Sequence, residues 1–388
     1  MERAKGKFPL RAVALFLAAA LCLLPASCTL TGTSSAAESA RDKLLEYYEE
    51  LGEEGLSEQM QALVLLAAGG TVSKETVERL IPVSDQTLPI DTLCSAIYLT
   101  EAARLDSRSY RGQNLVTLLS QRQMEDGSFG FLEETVRAAM TLENVGANYD
   151  REGVIRLLIS AQRPDGGFCA QEGGETDLTL TGLTLSLLTC FEDDYRAQTM
   201  LERAVEYLAA LASALPEPPP DCEALSAVIC GLADAGQELS SEQWSGLLDA
   251  ILDCQTQDDT FAAQPGQASD QGATAHALAA LEAVHSGKSW WNSVILRSGV
   301  VSLSIVEGEE TLYEVGRFVL QEEETALSLL GRFCAANGID IQYQMGAVLS
   351  IEQIQASGSA KWHLFVNGEE SPEDRVLAAG DEVVWKFS

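Results

Sequence analysis

A short phrase recurs along this chain and limits what it can fold into. Gln162-Arg163-Pro164-Asp165-Gly166-Gly167-Phe168 has two imperfect copies, Gln123 to Phe129 and Gln255 to Phe261. Each reads as a helix end, a turn built on Asp-Gly or its Asp-Asp variant, and an aromatic plug. After the best copy, Leu180, Leu183, Leu187 and Leu188 recur at helical spacing. Phe129 and Phe168 lie 39 positions apart, and Phe168 and Phe261 lie 93 apart, about twice 46, leaving room for one degenerate copy. A period in the forties predicts stacked helix pairs, with each phenylalanine packed between helix ends rather than engaged in chemistry.

Six pairs can be laid out: 43–51 with 58–68, 74–81 with 91–105, 111–121 with 133–145, 152–161 with 177–190, 197–212 with 221–235, and 242–254 with 271–284. The second helix of a pair is the more apolar and the richer in small residues, as at Gly182, Ala227, Gly231, Ala277 and Ala280. Helices buried on most sides need that composition for close approach. The pattern predicts an (α/α)6 toroid over residues 40–286, inner helices ringed by outer ones, with its first and last units in contact. Residues 287–299 read as a linker. Beyond it Val301, Leu303 and Ile305 alternate with serines, a helix is expected at 325–336, and Asn367-Gly368 marks a hairpin turn. Residues 300–388 are therefore expected to form a small α+β domain of β-grasp type, making the chain multidomain.

The first 28 residues read as an export signal. Arg3, Lys5, Lys7 and Arg11 precede an uncharged run from Ala12 to Leu24, too short to span a bilayer comfortably. Pro25-Ala26-Ser27-Cys28 resembles a bacterial lipobox, in which Cys28 takes the lipid; ordinary cleavage near Ala36-Ala37 is the other reading. Residues 29–39 would then be a small-residue tether to the cell surface. A net charge of −33 repels phosphate backbones and anionic lipid, so nucleic acid is a poor partner. Of nine cysteines, the seven beyond the signal show no Cys-x-x-Cys pair and sit mostly in apolar helical text, where buried thiols are the rule.

Motifs that carry chemistry are scarce. Gly287-Lys288-Ser289 is no phosphate loop, because Glu282 stands where that motif requires glycine. The three histidines sit in scattered contexts, none at zinc-ligand spacing from a cysteine and none forming a legible serine-hydrolase set. Asp91, Asp177, Asp221 and Asp270 begin or precede inner helices, so a barrel gathers them on one rim. Capping explains each of them, and a polar ring around an apolar funnel is also how a site holds a ligand. His276 reads as a core or lining residue amid alanines, and Trp290 and Trp291 as packing at the domain junction or part of a cleft there.

The repeated phrase resembles that of the terpenoid-cyclase and protein-prenyltransferase toroids, though the Asp-x-Asp-Asp proton donor, the zinc set and the Gly-Cys-Gly-Glu-Gln thioester of related toroids are missing. Residues 177–190, the junction Leu278-Ala279-Ala280-Leu281 with Gly287-Lys288-Ser289-Trp290, the run Met345-Gly346-Ala347-Val348-Leu349-Ser350-Ile351 and Lys361-Trp362-His363-Leu364-Phe365 are similar to the transcobalamin and intrinsic-factor family. The ending, through Val366-Asn367-Gly368-Glu369 and Ala379-Gly380-Asp381-Glu382, resembles a β-grasp domain of bacterial surface proteins. The vitamin-carrier resemblance implies a cobalamin or other corrinoid held between toroid and β domain. Asp91, Asp177, Asp221 and Asp270 would then face the ring's amides, and Gly346, Ala347, Trp362, Leu364 and Val376 would cover its other face.

The expectation is thus a lipid-anchored extracellular corrinoid-binding protein, with no reaction and no catalytic metal, that passes its ligand to a membrane uptake transporter. A surface adhesion or protein-interaction module and an isoprenoid-processing enzyme are the alternatives.

Overall fold

The computed structural model describes residues 27–81, 88–171, 173–298, 300–308, 310–321, 323–344 and 346–388. The expected signal segment falls on residues outside that description, as does the side chain of Cys28.

The repeated phrase closes the loop between an outer and an inner helix. In the best copy Gly166 adopts φ 104, a conformation that side chains disfavour, and the chain reverses there. The Gln162 side chain donates back to the Gly166 carbonyl at 3.0 Å and across to the Met200 carbonyl at 2.8 Å. Gln123 does the same to Gly127 and Asp150. In the third copy Asp259 takes the left-handed position at φ 63. Each plug phenylalanine is buried, and its N–H donates to a threonine hydroxyl one turn into the following inner helix: Phe129 to Thr135, Phe168 to Thr181, Phe261 to Thr274. Those hydroxyls in turn donate to the first carbonyls of their own helices, so the phrase satisfies backbone groups and is structural.

The described residues of the drum form α1 (Ser27–Gly55), α2 (Gln59–Ala67), α3 (Lys74–Leu80), α4 (Ile90–Ala102), α5 (Leu115–Ser120), α6 (Leu132–Asn144), α7 (Arg151–Ala161), α8 (Leu178–Thr189), α9 (Tyr195–Ser213), α10 (Cys222–Asp234), α11 (Ser245–Leu252) and α12 (Gln271–Ser286). The even-numbered helices form a closed ring in which α12 returns to α2, and the odd-numbered helices surround it. Burial shows the division. In α8 every residue from Leu180 to Leu188 is buried, whereas α9 buries the single stripe Ala197, Met200, Ala204, Leu208 and Ala212. Arg41 of α1 seals the seam by pairing with buried Glu282 of α12 at 2.7 Å. Where α8 crosses α10, Gly182 and Gly231 bring the two backbones together.

Two expectations are corrected. The tether is helical: α1 starts at Ser27, and Ala37 and Ala40 are buried in the core, because small residues pack closely and favour helix. The linker is helical too. Residues Trp290–Ser298 form α13, which packs against α2, α4, α6 and α12 inside the ring. Its start is held by Asp234 at the end of α10, whose two carboxylate oxygens accept from the Ser289 N–H (2.9 Å) and the Trp291 indole N–H (3.1 Å). Trp290 stacks edge-on against Tyr98 and Trp291, with centroids 5.3 Å and 5.1 Å apart.

The C-terminal lobe has the β-grasp order. Its main sheet runs β2 (Glu310–Val319), β1 (Val300–Glu307), β8 (Glu382–Phe387), β6 (Trp362–Val366), β7 (Glu369–Glu370), with the first and last strands parallel in the middle. Helix α14 (Ala326–Asn337) buries Leu329, Leu330, Phe333 and Cys334 in the lobe's core. A side sheet of β3 (Ile341–Gln344), β4 (Ala347–Ile351) and β5 (Ile354–Gln355) completes it.

The glycine crossing generates a stability test. A Cβ at Gly182 collides with the Ala227 carbonyl, and one at Gly231 with the Gly182 carbonyl oxygen, whereas Gly331 in α14 faces open space. Gly182→Ala and Gly231→Ala are each expected to cost about 1–3 kcal/mol, read as a lower urea midpoint at unchanged slope, while Gly331→Ala is neutral or slightly stabilising.

Candidate functional site

All six inner helices run the same way, so the drum has an N-terminal and a C-terminal rim. Helix α13 and its two tryptophans close the ring toward the C-terminal rim; above them a funnel of about 330 Å³, including its open part, reaches the N-terminal rim. Met60, Thr179, Leu183, Ser226 and Ala227 line its wall, and Trp290 and Trp291 form its floor.

Three further lining residues are charged or titratable. Arg137 of α6 donates to Glu133 at 2.8 Å and faces Asp91 of α4 at 3.7 Å. His276 of α12 lies 3.9 Å from Glu223 of α10, and its backbone carbonyl accepts from the Ser226 hydroxyl at 2.7 Å. Burial pushes the His276 imidazole below its ordinary range; Glu223, Asp221 and Asp270 oppose the shift and Arg137 adds to it. Burial likewise raises the Asp91 carboxyl, with Arg137 working against it and Glu133 and Glu134 adding to it.

The aspartates picked out in the sequence do meet on this rim. Asp177, Asp221 and Asp270 are the N-caps of α8, α10 and α12, each accepting the N–H three residues on (Leu180 at 2.9 Å, Ala224 at 2.8 Å, Ala273 at 2.8 Å). Capping therefore accounts for one oxygen of each. Asp91 is no cap; it occupies the first turn of α4, whose N-cap is Pro89.

The residues picked out in the C-terminal lobe do not join them. Trp362 and Leu364 point inward from β6 and fill the lobe's own core, where Trp362 packs on Phe387. Gly346 (φ 89) turns the chain between β3 and β4, Ala347 is exposed there, and Met345 lies outside the described residues. Val376 is exposed and its backbone bridges Thr325.

The lobe touches the drum at the other end. Arg332 of α14 lies 3.6 Å from Asp106, and Phe318 of β2 sits beneath the guanidinium groups of Arg332 (4.3 Å) and Arg108 (4.7 Å). Arg108 in turn donates to the Val145 carbonyl at the C-terminus of α6. A thirteen-residue inner helix, ~20 Å long, separates this junction from the aspartate rim. The expected sandwich, a planar ligand between the aspartates and the β lobe, is corrected accordingly: its two halves lie at opposite ends of the drum.

Sequence reading missed Arg137 and Glu223. The available signal was a charge placed on the more apolar helix of a pair; which way it faces is settled only when the ring closes. Among the described residues no group of three or more His, Cys, Asp or Glu side chains is arranged to hold a metal ion.

The downward shift at half-buried His276 has a consequence for stability. Its folded-state pKa lies below the unfolded value of ~6.5, so the unfolded chain takes up the proton first as pH falls. Its contribution is intact above that value and is lost as pH drops through it toward the folded-state value. Urea unfolding of wild type against His276→Gln across pH 7.5 to about pH 5 is expected to show a shallower loss of stability in the variant over that window.

No curated protein matches the chain. Residues 13–332 match the family model described as prenyltransferase alpha-alpha toroid domain, a span running from before the first described helix into α14. With most of its length covered and a closed ring of six inner helices, the chain belongs to the prenyltransferase α/α toroid domain family.

Proposed function

We propose that this chain is an exported ligand-binding protein that takes a small organic molecule into the funnel of its toroid. The observation that carries this reading is the lining of the N-terminal end. Arg137, Glu223 and His276 surround free space above an aromatic floor, beside a wall that also carries Met60, Leu183 and Ala227. A drum built for shape alone would fill that space with aliphatic side chains. Even with its open part counted, the space is too little for a corrin macrocycle with its amide arms.

The basic N-terminus, the uncharged run after it and Cys28 support attachment at the cell surface, where captured ligand passes to a membrane uptake transporter. The family match favours a second reading, an isoprenoid-processing enzyme. That reading requires turnover of a prenyl diphosphate, and the acid-rich rim repels such a substrate.

A blocked funnel tests the proposal. Thr179 sits half-buried at the mouth in the first turn of α8, so Thr179→Trp obstructs the opening and leaves the core intact. Thermal-shift screening against amines, small acids, prenyl diphosphates and cobalamin is expected to find stabilisation of wild type by a small molecule and none of Thr179→Trp, with equal melting of the two free proteins. Cobalamin that stays coloured on the protein through desalting, or a ligand that stabilises both proteins alike, would overturn the funnel as the site.

A further inference from the structure

At α8 and α12 the start of the inner helix is tied back by its plug: the phenylalanine N–H donates to a threonine four residues past the capping aspartate, Thr181 after Asp177 and Thr274 after Asp270. The start of α10 has no such tie. Pro216-Glu217-Pro218-Pro219-Pro220 stands in place of the phrase, and Leu225 occupies the position four residues past the Asp221 cap. What holds this helix start comes from the following unit instead. The Cys222 N–H donates to the Ala263 carbonyl at 2.9 Å, and the N–H of adjoining Ala262 donates to the Cys254 carbonyl at 2.9 Å. One dipeptide thus seats both cysteines, Cys222 as the first residue of α10 and Cys254 just beyond α11. Their side chains are buried, 0% and 1% exposed. They also meet: a hydrogen bond between the two thiols raises that of Cys222 and lowers that of Cys254.

We infer that Cys222 and Cys254 are a disulfide-forming pair, a covalent tie at an inner-helix start that lacks the phenylalanine–threonine one. A disulfide requires neighbouring backbones and facing side chains. The shared dipeptide brings the backbones together, and the thiol contact has the side chains facing. The step is an exchange with a small disulfide oxidant, R–S–S–R. One cysteine thiolate attacks it, forms a mixed disulfide and displaces the first R–S⁻; the second cysteine attacks the protein sulfur of that intermediate, closes the Cys222–Cys254 bond and releases the second R–S⁻. Two protein thiols are oxidised, the oxidant is reduced to two thiols, and the two cysteine protons end on them. Because both sulfurs are covered once the ring is packed, exchange takes place on the chain before it closes, in the oxidising surroundings that export provides. The bond spans 32 positions of sequence and so restricts the unfolded chain, and in the folded one it pins the helix start that carries Asp221 and the funnel-lining Glu223.

Thiol mapping tests the pairing without reference to any ligand. Full-length protein is reduced and unfolded, refolded with oxidised and reduced glutathione, then unfolded again and alkylated without reductant. Glu-C cuts at Glu223, Glu238 and Glu242, so Cys222, Cys230 and Cys254 fall on separate peptides. Mass spectrometry is expected to find the Cys222 and Cys254 peptides joined, and joined to each other. The oxidised protein should melt about 5–10 °C above the same protein refolded in dithiothreitol, and Cys222→Ser and Cys254→Ser should each abolish that difference. Alkylation of both cysteines after oxidative refolding, a bond from either to another cysteine, or a linked protein that melts no higher than the reduced one overturns the inference. The same map on protein taken from the cell envelope separates this from the export reading: a pair that links on refolding but is recovered reduced from cells supports the pairing and counts against export.

Discussion

A single carboxylate sets the layout of this molecule. Asp234, buried at the end of α10, accepts from the Ser289 N–H and the Trp291 indole N–H at the start of the α13 segment. A buried carboxylate is costly unless donors meet it, so the contact fixes the segment's position as much as it is satisfied by it. With α13 locked inside the ring, Trp290 and Trp291 close one end of the drum, the other end stays open, and the chain leaves toward β1 at the closed end. Pocket depth, ligand size and the location of the β lobe all follow from that contact.

The drum tolerates this guest because its walls are made for close approach. Gly182 and Gly231 let α8 and α10 cross backbone to backbone, and the alanines of α12 keep the ring narrow. A narrow ring has room for two indoles and a small cavity rather than a wide basin. The lobe is fixed at the far rim through Phe318, Arg108, Arg332 and Asp106, and Arg332 is itself held by two bonds to buried Glu324. Cation–π contacts and a shielded ion pair in one cluster resist rocking better than scattered surface pairs. The β lobe therefore stands away from the opening and leaves it to solvent.

Much of this was legible in the chain itself. The six helix pairs emerged because the Gln-to-Phe phrase marks three of the six turns and the apolar period marks each helix, both local signals. The lobe's order was readable from alternation around Val301 and from the Asn367-Gly368 turn. What was not legible depended on closure. Residues 287–299 look like a linker because they are short and start Gly-Lys-Ser; only the ring supplies the walls that make Trp290–Ser298 a helix with Trp290, Trp291 and Val294 buried. Small residues at 29–39 read as a tether for the same reason, since the burial of Ala37 comes from helices far along the chain. The family resemblance placed Trp362 and Leu364 at a ligand, yet their alternation in β6 already matched a core-facing strand. Arg137 and Glu223 stayed hidden because sequence gives a helix's composition but not which residues look into its ring.

The placement of the lobe relative to the funnel mouth is the claim on which the rest stands, and a distance between spin labels measures it. Exposed Glu175 precedes α8 at the open rim, and exposed Val376 lies in the lobe near the drum's closed rim. Labels at these two positions in the full-length protein should report a single distance longer than the ~20 Å span of an inner helix. A narrow distribution well below that length would put the lobe over the mouth, and contradict both the blind funnel and the small ligand drawn from it.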